Sequence, residues 1–221
     1  MPRFRRYRRR YVRRRRYQGR RRFRRTGLRR RVNFIQRKVS GIQYKRGDTQ
    51  YVSAATQPGT TGDALIVNQI PVGQGESQRI ALRIRCVRLT IRGYMIIGSN
   101  GVPSTVRFVV VHWKQPNGQG VSDILTEYFT GISINQFKAN NFRFQHRTLA
   151  DFRVTVNPNG GNERTFVLQR RLNIKTSYNA NDDTGATIET GAIVVLMFSN
   201  ITGAGNVPAV VWRSRLSYLD A

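Results

Sequence analysis

The chain has 221 residues, with 39 Lys+Arg against 11 Asp+Glu and a formal charge of +28. That excess exceeds what solubility requires and points to a polyanionic partner. No apolar stretch approaches the ~20 residues needed to span a bilayer. The basic N-terminus lacks the apolar core of a secretory signal, and a single cysteine with two histidines excludes a disulfide within the chain and any Cys-based zinc site.

The charge is unevenly placed. Residues 1–31 hold eighteen arginines, no lysine and no carboxylate: Arg3, Arg5, Arg6, Arg8, Arg9, Arg10, Arg13, Arg14, Arg15, Arg16, Arg20, Arg21, Arg22, Arg24, Arg25, Arg29, Arg30 and Arg31. The first carboxylate is Asp48, and from residue 47 onward 17 basic face 11 acidic residues, a net +6. The expected organisation is therefore an arm with a transition segment, 1–46, and a body, 47–221.

The arm has too little apolar surface to offset chain entropy, and its like charges repel, so it is expected to be disordered alone. Guanidinium stays charged at any accessible pH and grips phosphate bidentately. Phe4, Tyr7, Tyr11, Tyr17 and Phe23 punctuate the run and are candidates for stacking on unpaired bases without sequence preference. Nucleic acid is the partner this composition favours. Competing readings are a solvated charge run, a nuclear-targeting segment alone, or attachment to a membrane surface.

Beyond the arm, Val, Ile and Thr number 54 over the chain and Ala, Leu, Glu and Lys together 32, a balance that favours strands. Short apolar runs separated by TQPGTTGD, QPNGQG, NPNGG, NANDDTG and NITGAGNVP predict an all-β sandwich or barrel. Strands are expected at 49–55, 64–72, 80–97, 105–113, 142–148, 152–156, 164–177, 188–198 and 209–219. A short helix is expected at DILTEYF, capped by Ser122 or Asp123.

In the third of these strands, Ile80, Leu82, Ile84 and Cys86 share one parity and Val87, Leu89 and Ile91 the other. A β-bulge at Cys86–Val87 restores register. It sets Arg83, Arg85, Arg88 and Arg92 on one face, to serve as a second nucleic-acid surface, a subunit contact or a solvated outer face. VRFVVVHW (106–113) is apolar on both parities, as a strand buried on both faces requires. In the last strand Trp212, Leu216 and Tyr218 share one side, Arg213 and Arg215 the other.

Catalytic signatures are absent: there is no P-loop, no G-x-S-x-G and no H-E-x-x-H. GQGESQR (73–79) reads as a tight turn, Asp182–Asp183 as a solvated loop, His112 and His146 as packing residues, and Cys86 as a small core hydrophobe. The sequon at Asn200-Ile201-Thr202 is expected to be silent. Neither an enzyme nor a cofactor or metal site is expected.

GQGESQRIALRI, RLTIRGYMI and VRFVVVHWKQPNG followed by DIL, then RFQHRTLADFRV and the closing WRSRLSYLDA, resemble in that order the capsid proteins of circular Rep-encoding single-stranded DNA viruses (circovirus-like). They are more distantly similar to capsids of the satellite tobacco necrosis virus type. The resemblance covers residues 63–220, and the arm matches that family's usual N-terminus. It implies a single eight-stranded jelly roll and a small icosahedral T=1 shell of roughly sixty copies. It also implies packaging of single-stranded, circular DNA, residence in the virion, and passage through the host nucleus by way of import receptors. Sixty arms would carry on the order of a thousand positive charges, enough for about a kilobase of strand. The alternative is a ribosomal-type or other RNA-binding protein with a basic tail, which usually spreads Lys and Arg over its body as well.

Overall fold

The computed structural model describes residues 44–53, 58–116, 123–129, 134–135, 137, 145–179 and 188–220. The chain divides between residues 43 and 44. Residues 1–43, with all eighteen arm arginines and the five arm aromatics, lie outside the described residues, as do Ser122 and Asp182–Asp183.

The described residues form nine strands and one helix: β1(Lys45–Val52), β2(Asp63–Ile66), β3(Arg83–Ile96), β4(Ser104–Trp113), α1(Asp123–Tyr128), β5(His146–Val156), β6(Glu163–Tyr178), β7(Ile188–Thr190), β8(Ala192–Ser199) and β9(Ala209–Asp220). They build two antiparallel sheets, ordered β1-β9-β3-β6-β7 and β2-β8-β4-β5. Apart from the three-residue β7, successive strands alternate between the sheets, except for β4 and β5, which pair with each other. Eight strands wound this way make a jelly roll.

Alternation explains the five-stranded sheet. In β9, Trp212, Ser214, Leu216 and Tyr218 are buried while Arg213 and Arg215 are exposed. Trp212 stacks on Tyr51 of β1 with ring centroids 5.6 Å apart. Its indole N–H donates to the Met197 sulfur on β8 at 3.2 Å, which ties one sheet to the other. The bulge in β3 is where the parity slip puts it: Cys86 faces Tyr218, Arg88 faces Ser217, and Val87 is the extra residue. Cys86 is fully buried, and burial pushes its thiol pKa up to about 12, the behaviour of a core hydrophobe.

The four-stranded sheet is covered on both faces. All eight residues of β8 are buried, as are seven of the ten in β4. Phe108 meets Phe166 of the opposite sheet with centroids 4.7 Å apart. On the other side Phe129, just after α1, packs edge-on against Phe198 at 4.9 Å. Tyr128 meets the His146 ring edge-on at 5.8 Å and hydrogen-bonds the Thr148 hydroxyl.

Several expected boundaries move. The strand expected at 64–72 stops at Ile66, because Asn68 turns inward. Its amide donates to Thr176 Oγ1 and Gly191 O, both at 3.0 Å, and its oxygen accepts from Ile193 N at 2.8 Å. The strand expected from residue 80 begins at Arg83. The buried Arg79 draws the preceding segment around itself, donating from Nε to Ile70 O at 3.0 Å with its guanidinium 3.9 Å above the Tyr178 ring. Ile80 and Leu82, expected on the core side, are therefore 64% and 46% exposed.

The two strands expected at 142–148 and 152–156 are one, β5. Asp151 does not end it, because the carboxylate sits on the sheet surface against Arg107, 2.6 Å away. Conversely, 188–198 is cut in two at Gly191, whose φ of 77° and whose approach to Lys175 O, 2.1 Å from where a Cβ would stand, admit only glycine. That break sends β7 to one sheet and β8 to the other.

Candidate nucleic-acid interface

Because β3 is bulged at Val87, Arg83, Arg85, Arg88 and Arg92 all emerge on the side of the five-stranded sheet that faces away from the core, and all four are exposed. The neighbouring strands then put further cations opposite them. Arg92 lies directly across from Arg213 of β9, Arg88 from Arg171 of β6, and Arg85 from Lys175 of β6. Residues directly opposed in an antiparallel pair share a face with their Cβ atoms about 5 Å apart, and like charges so placed destabilise the sheet. Three such pairs on one face are a standing cost to folding that an anion laid along them would remove.

The face is concave. A groove of about 1100 Å³ opens over its middle, lined among others by Gln50, Arg88, Thr90, Arg92, Tyr94, Gln169, Arg213 and Arg215. Asp48 is the one carboxylate among the lining residues, and it is engaged: Arg215 donates to its two oxygens from Nε at 2.9 Å and Nη2 at 2.7 Å. The hydrogen bond from Arg215 holds the Asp48 carboxyl below the usual carboxylate range. No carboxylate of the described residues lies within 4.0 Å of the Arg88, Arg92, Arg171 or Arg213 guanidinium groups. At one end of the groove stands Tyr94, 36% exposed. Gly93 beside it lets β3 lie close on Trp212, whose Cβ would stand 2.5 Å from a Cβ at residue 93.

The remaining sequence candidates fall elsewhere. His146 is buried between Trp113 and Tyr128, with Nε2 3.9 Å from Glu127 Oε2. His112 is half-buried on β4, and its pKa is lowered to about 4 by burial, then by the charges of Lys114 and Arg147. Residues 73–79 form tight turns, with Gln78 N donating to Gly75 O at 3.1 Å. Among the described residues no group of three or more His, Cys, Asp or Glu could hold a metal ion.

Sequence reading singled out the β3 arginines but missed Arg171 and Lys175. A signal was present: Gln169, Arg171, Asn173 and Lys175 recur at every second position of β6, out of phase with Leu168, Leu172 and Ile174. What it lacked was the knowledge that β6 lies beside β3.

No family model matches the chain, and no curated protein does. Among solved structures the chain is similar to one of Desmodium yellow mottle tymovirus, with 12% identity, a TM-score of 0.35, and 79% of this chain and 87% of that one covered. A second likeness is to infectious bursal disease virus, Gt strain, with 8% identity and a TM-score of 0.15, covering 81% of this chain and 43% of that one. At these TM-scores neither likeness carries a functional assignment.

Proposed function

We propose that the chain is the capsid protein of a small virus, which closes into an icosahedral shell and packages a single-stranded genome, circular DNA, through its arginine arm. The observation that carries this reading is the junction of two unlike parts. One is an eighteen-arginine segment without a single carboxylate. The other is a jelly roll whose net charge from residue 47 onward is only +6. A body that bound nucleic acid by itself as a ribosomal-type protein does would carry the charge, whereas a shell subunit needs a near-neutral wall and a tether.

The arm is an electrostatic tether without base readout. If ten of its arginines contact phosphate, affinity falls by roughly 10³–10⁵ between 50 and 200 mM salt. On this reading about sixty copies form the shell, its place is the virion, and the basic cluster doubles as a nuclear import signal before assembly. The reaction is assembly, with no bond made or broken and no cofactor used.

Electron microscopy of the purified full-length protein, with nuclease-protected nucleic acid quantified in the same fraction, tests this. Uniform closed shells with protected strand are expected. Dispersed monomers on nuclease-sensitive RNA would transfer the reading to the ribosomal-type binder. Deleting residues 1–31 should leave the body folded and abolish packaging.

A further inference from the structure

We propose that the open face of the five-stranded sheet is a second nucleic-acid site, a track for one single strand. In it the opposed pairs Arg92/Arg213 and Arg88/Arg171 each clamp backbone phosphate, and Tyr94 offers a stacking surface to a base. The inference deepens the packaging reading, on which it rests, and moves specificity for single strands from the arm to the body.

Charge complementarity chooses the occupant. Each clamp is two guanidinium groups on adjacent strands in direct register, exposed and without a carboxylate within 4.0 Å among the described residues. A phosphate placed between them accepts from both forks, the geometry arginine serves better than lysine. The single carboxylate lining the groove, Asp48, is already engaged by Arg215, so it does not repel the ligand at full strength.

Shape selects a single strand. From β1 across β9 and β3 to β6 the groove spans three inter-strand spacings, about 14 Å, which is room for one backbone with its bases and narrower than a duplex. Along β3 the two clamps lie four residues apart, roughly 13 Å, so they hold phosphates that are not nearest neighbours. The strand between them passes over Thr90 and Gln169, neutral side chains directly paired across β3 and β6. Tyr94 sits beyond Arg92, where a base turned toward the sheet meets its ring. Arg85 with Lys175 extends the track at the far end, although Arg85 also donates to Asn173 Oδ1 at 2.9 Å.

The test is arginine labelling with a dicarbonyl reagent on the full-length protein, with and without a thymidine 30-mer, read peptide by peptide. The oligonucleotide should lower labelling of Arg88, Arg92, Arg171 and Arg213 several-fold and leave the exposed Arg147 and Arg153 of the other sheet unchanged. Protection of the arm alone overturns the track and leaves the packaging reading standing; protection of neither overturns both. Face arginines already shielded before oligonucleotide is added would make the face a contact between copies and overturn the track as well. In the full-length R88Q/R92Q/R171Q/R213Q variant, the slope of log affinity against log salt should shrink by about 1.4, at ~0.7 for each of the two phosphates no longer neutralised. An unchanged slope in a variant with wild-type circular dichroism sinks the proposal.

Discussion

In β8 every side chain is buried, while in β3 buried and exposed positions alternate on either side of one bulge. Both are central strands of antiparallel sheets, and the difference lies in what covers them. α1 and Phe129 lie over the outside of the four-stranded sheet, so its residues pack on two sides. Nothing among the described residues of the same unit covers the middle of the five-stranded sheet, where the arginines stand around an open groove. The comparison teaches that one sheet uses its outer face for stability and the other gives up stability there. Opposed arginines are a poor choice for folding and a good one for holding an anion.

The sharpest way to break this contrast is to truncate one outer residue from each sheet. Phe198→Ala should cost about 3–5 kcal/mol, as for a core phenylalanine. Val167→Ala, 63% exposed on the other outer face, should cost less than about 0.5 kcal/mol. Urea denaturation of both variants decides it, and equal losses would refute the asymmetry. Next in size is the polar tie between the sheets. Asn68→Ala takes the acceptor from Ile193 N and one donor each from Thr176 Oγ1 and Gly191 O, which keep their bond to each other, and should cost about 3 kcal/mol, measurable as a lowered midpoint in the same experiment.

A smaller effect is pH-dependent and belongs to the covered sheet. With its folded pKa at about 4 against the ordinary 6.5, His112 stays neutral in the folded chain while the unfolded chain takes up a proton. Its contribution to stability is thus complete above pH 6.5 and is lost as pH falls toward 4. Since the ring is partly solvated, the loss is on the order of 1–2 kcal/mol. Comparing unfolding at pH 7 and 4.5, His112→Gln should flatten that part of the dependence. The smallest effect has the opposite sign. Replacing one member of an opposed pair, Arg171→Gln, should raise stability by roughly 0.2–1 kcal/mol while weakening strand binding, and a melting temperature that falls would show the pair to be structural.

Legibility followed locality. The β3 bulge could be read because parity slips within one strand, between Cys86 and Val87, and the two-sided burial of β4 because Val109, Val110 and Val111 run together. Ile80 and Leu82 were misread for the same reason: their parity is right, but Arg79, the Tyr178 ring and Asp220 Oδ1, which accepts from Ile80 N at 3.3 Å, hold that segment off the sheet. Tyr178 and Asp220 are about a hundred residues or more away along the chain. Gly191 was likewise silent until Lys175 O was seen beside it.

By itself the sequence determined that this protein is β-rich, that its cations crowd into residues 1–31, and that four arginines of β3 share a face. These are properties of composition and of the two-residue period along one chain. The tertiary structure alone decided which strands lie beside β3, and so set Arg213 opposite Arg92 and Arg171 opposite Arg88. Such pairing depends on contacts between strands about 80 and 120 residues apart, where no local period reaches and only the shared core fixes the register.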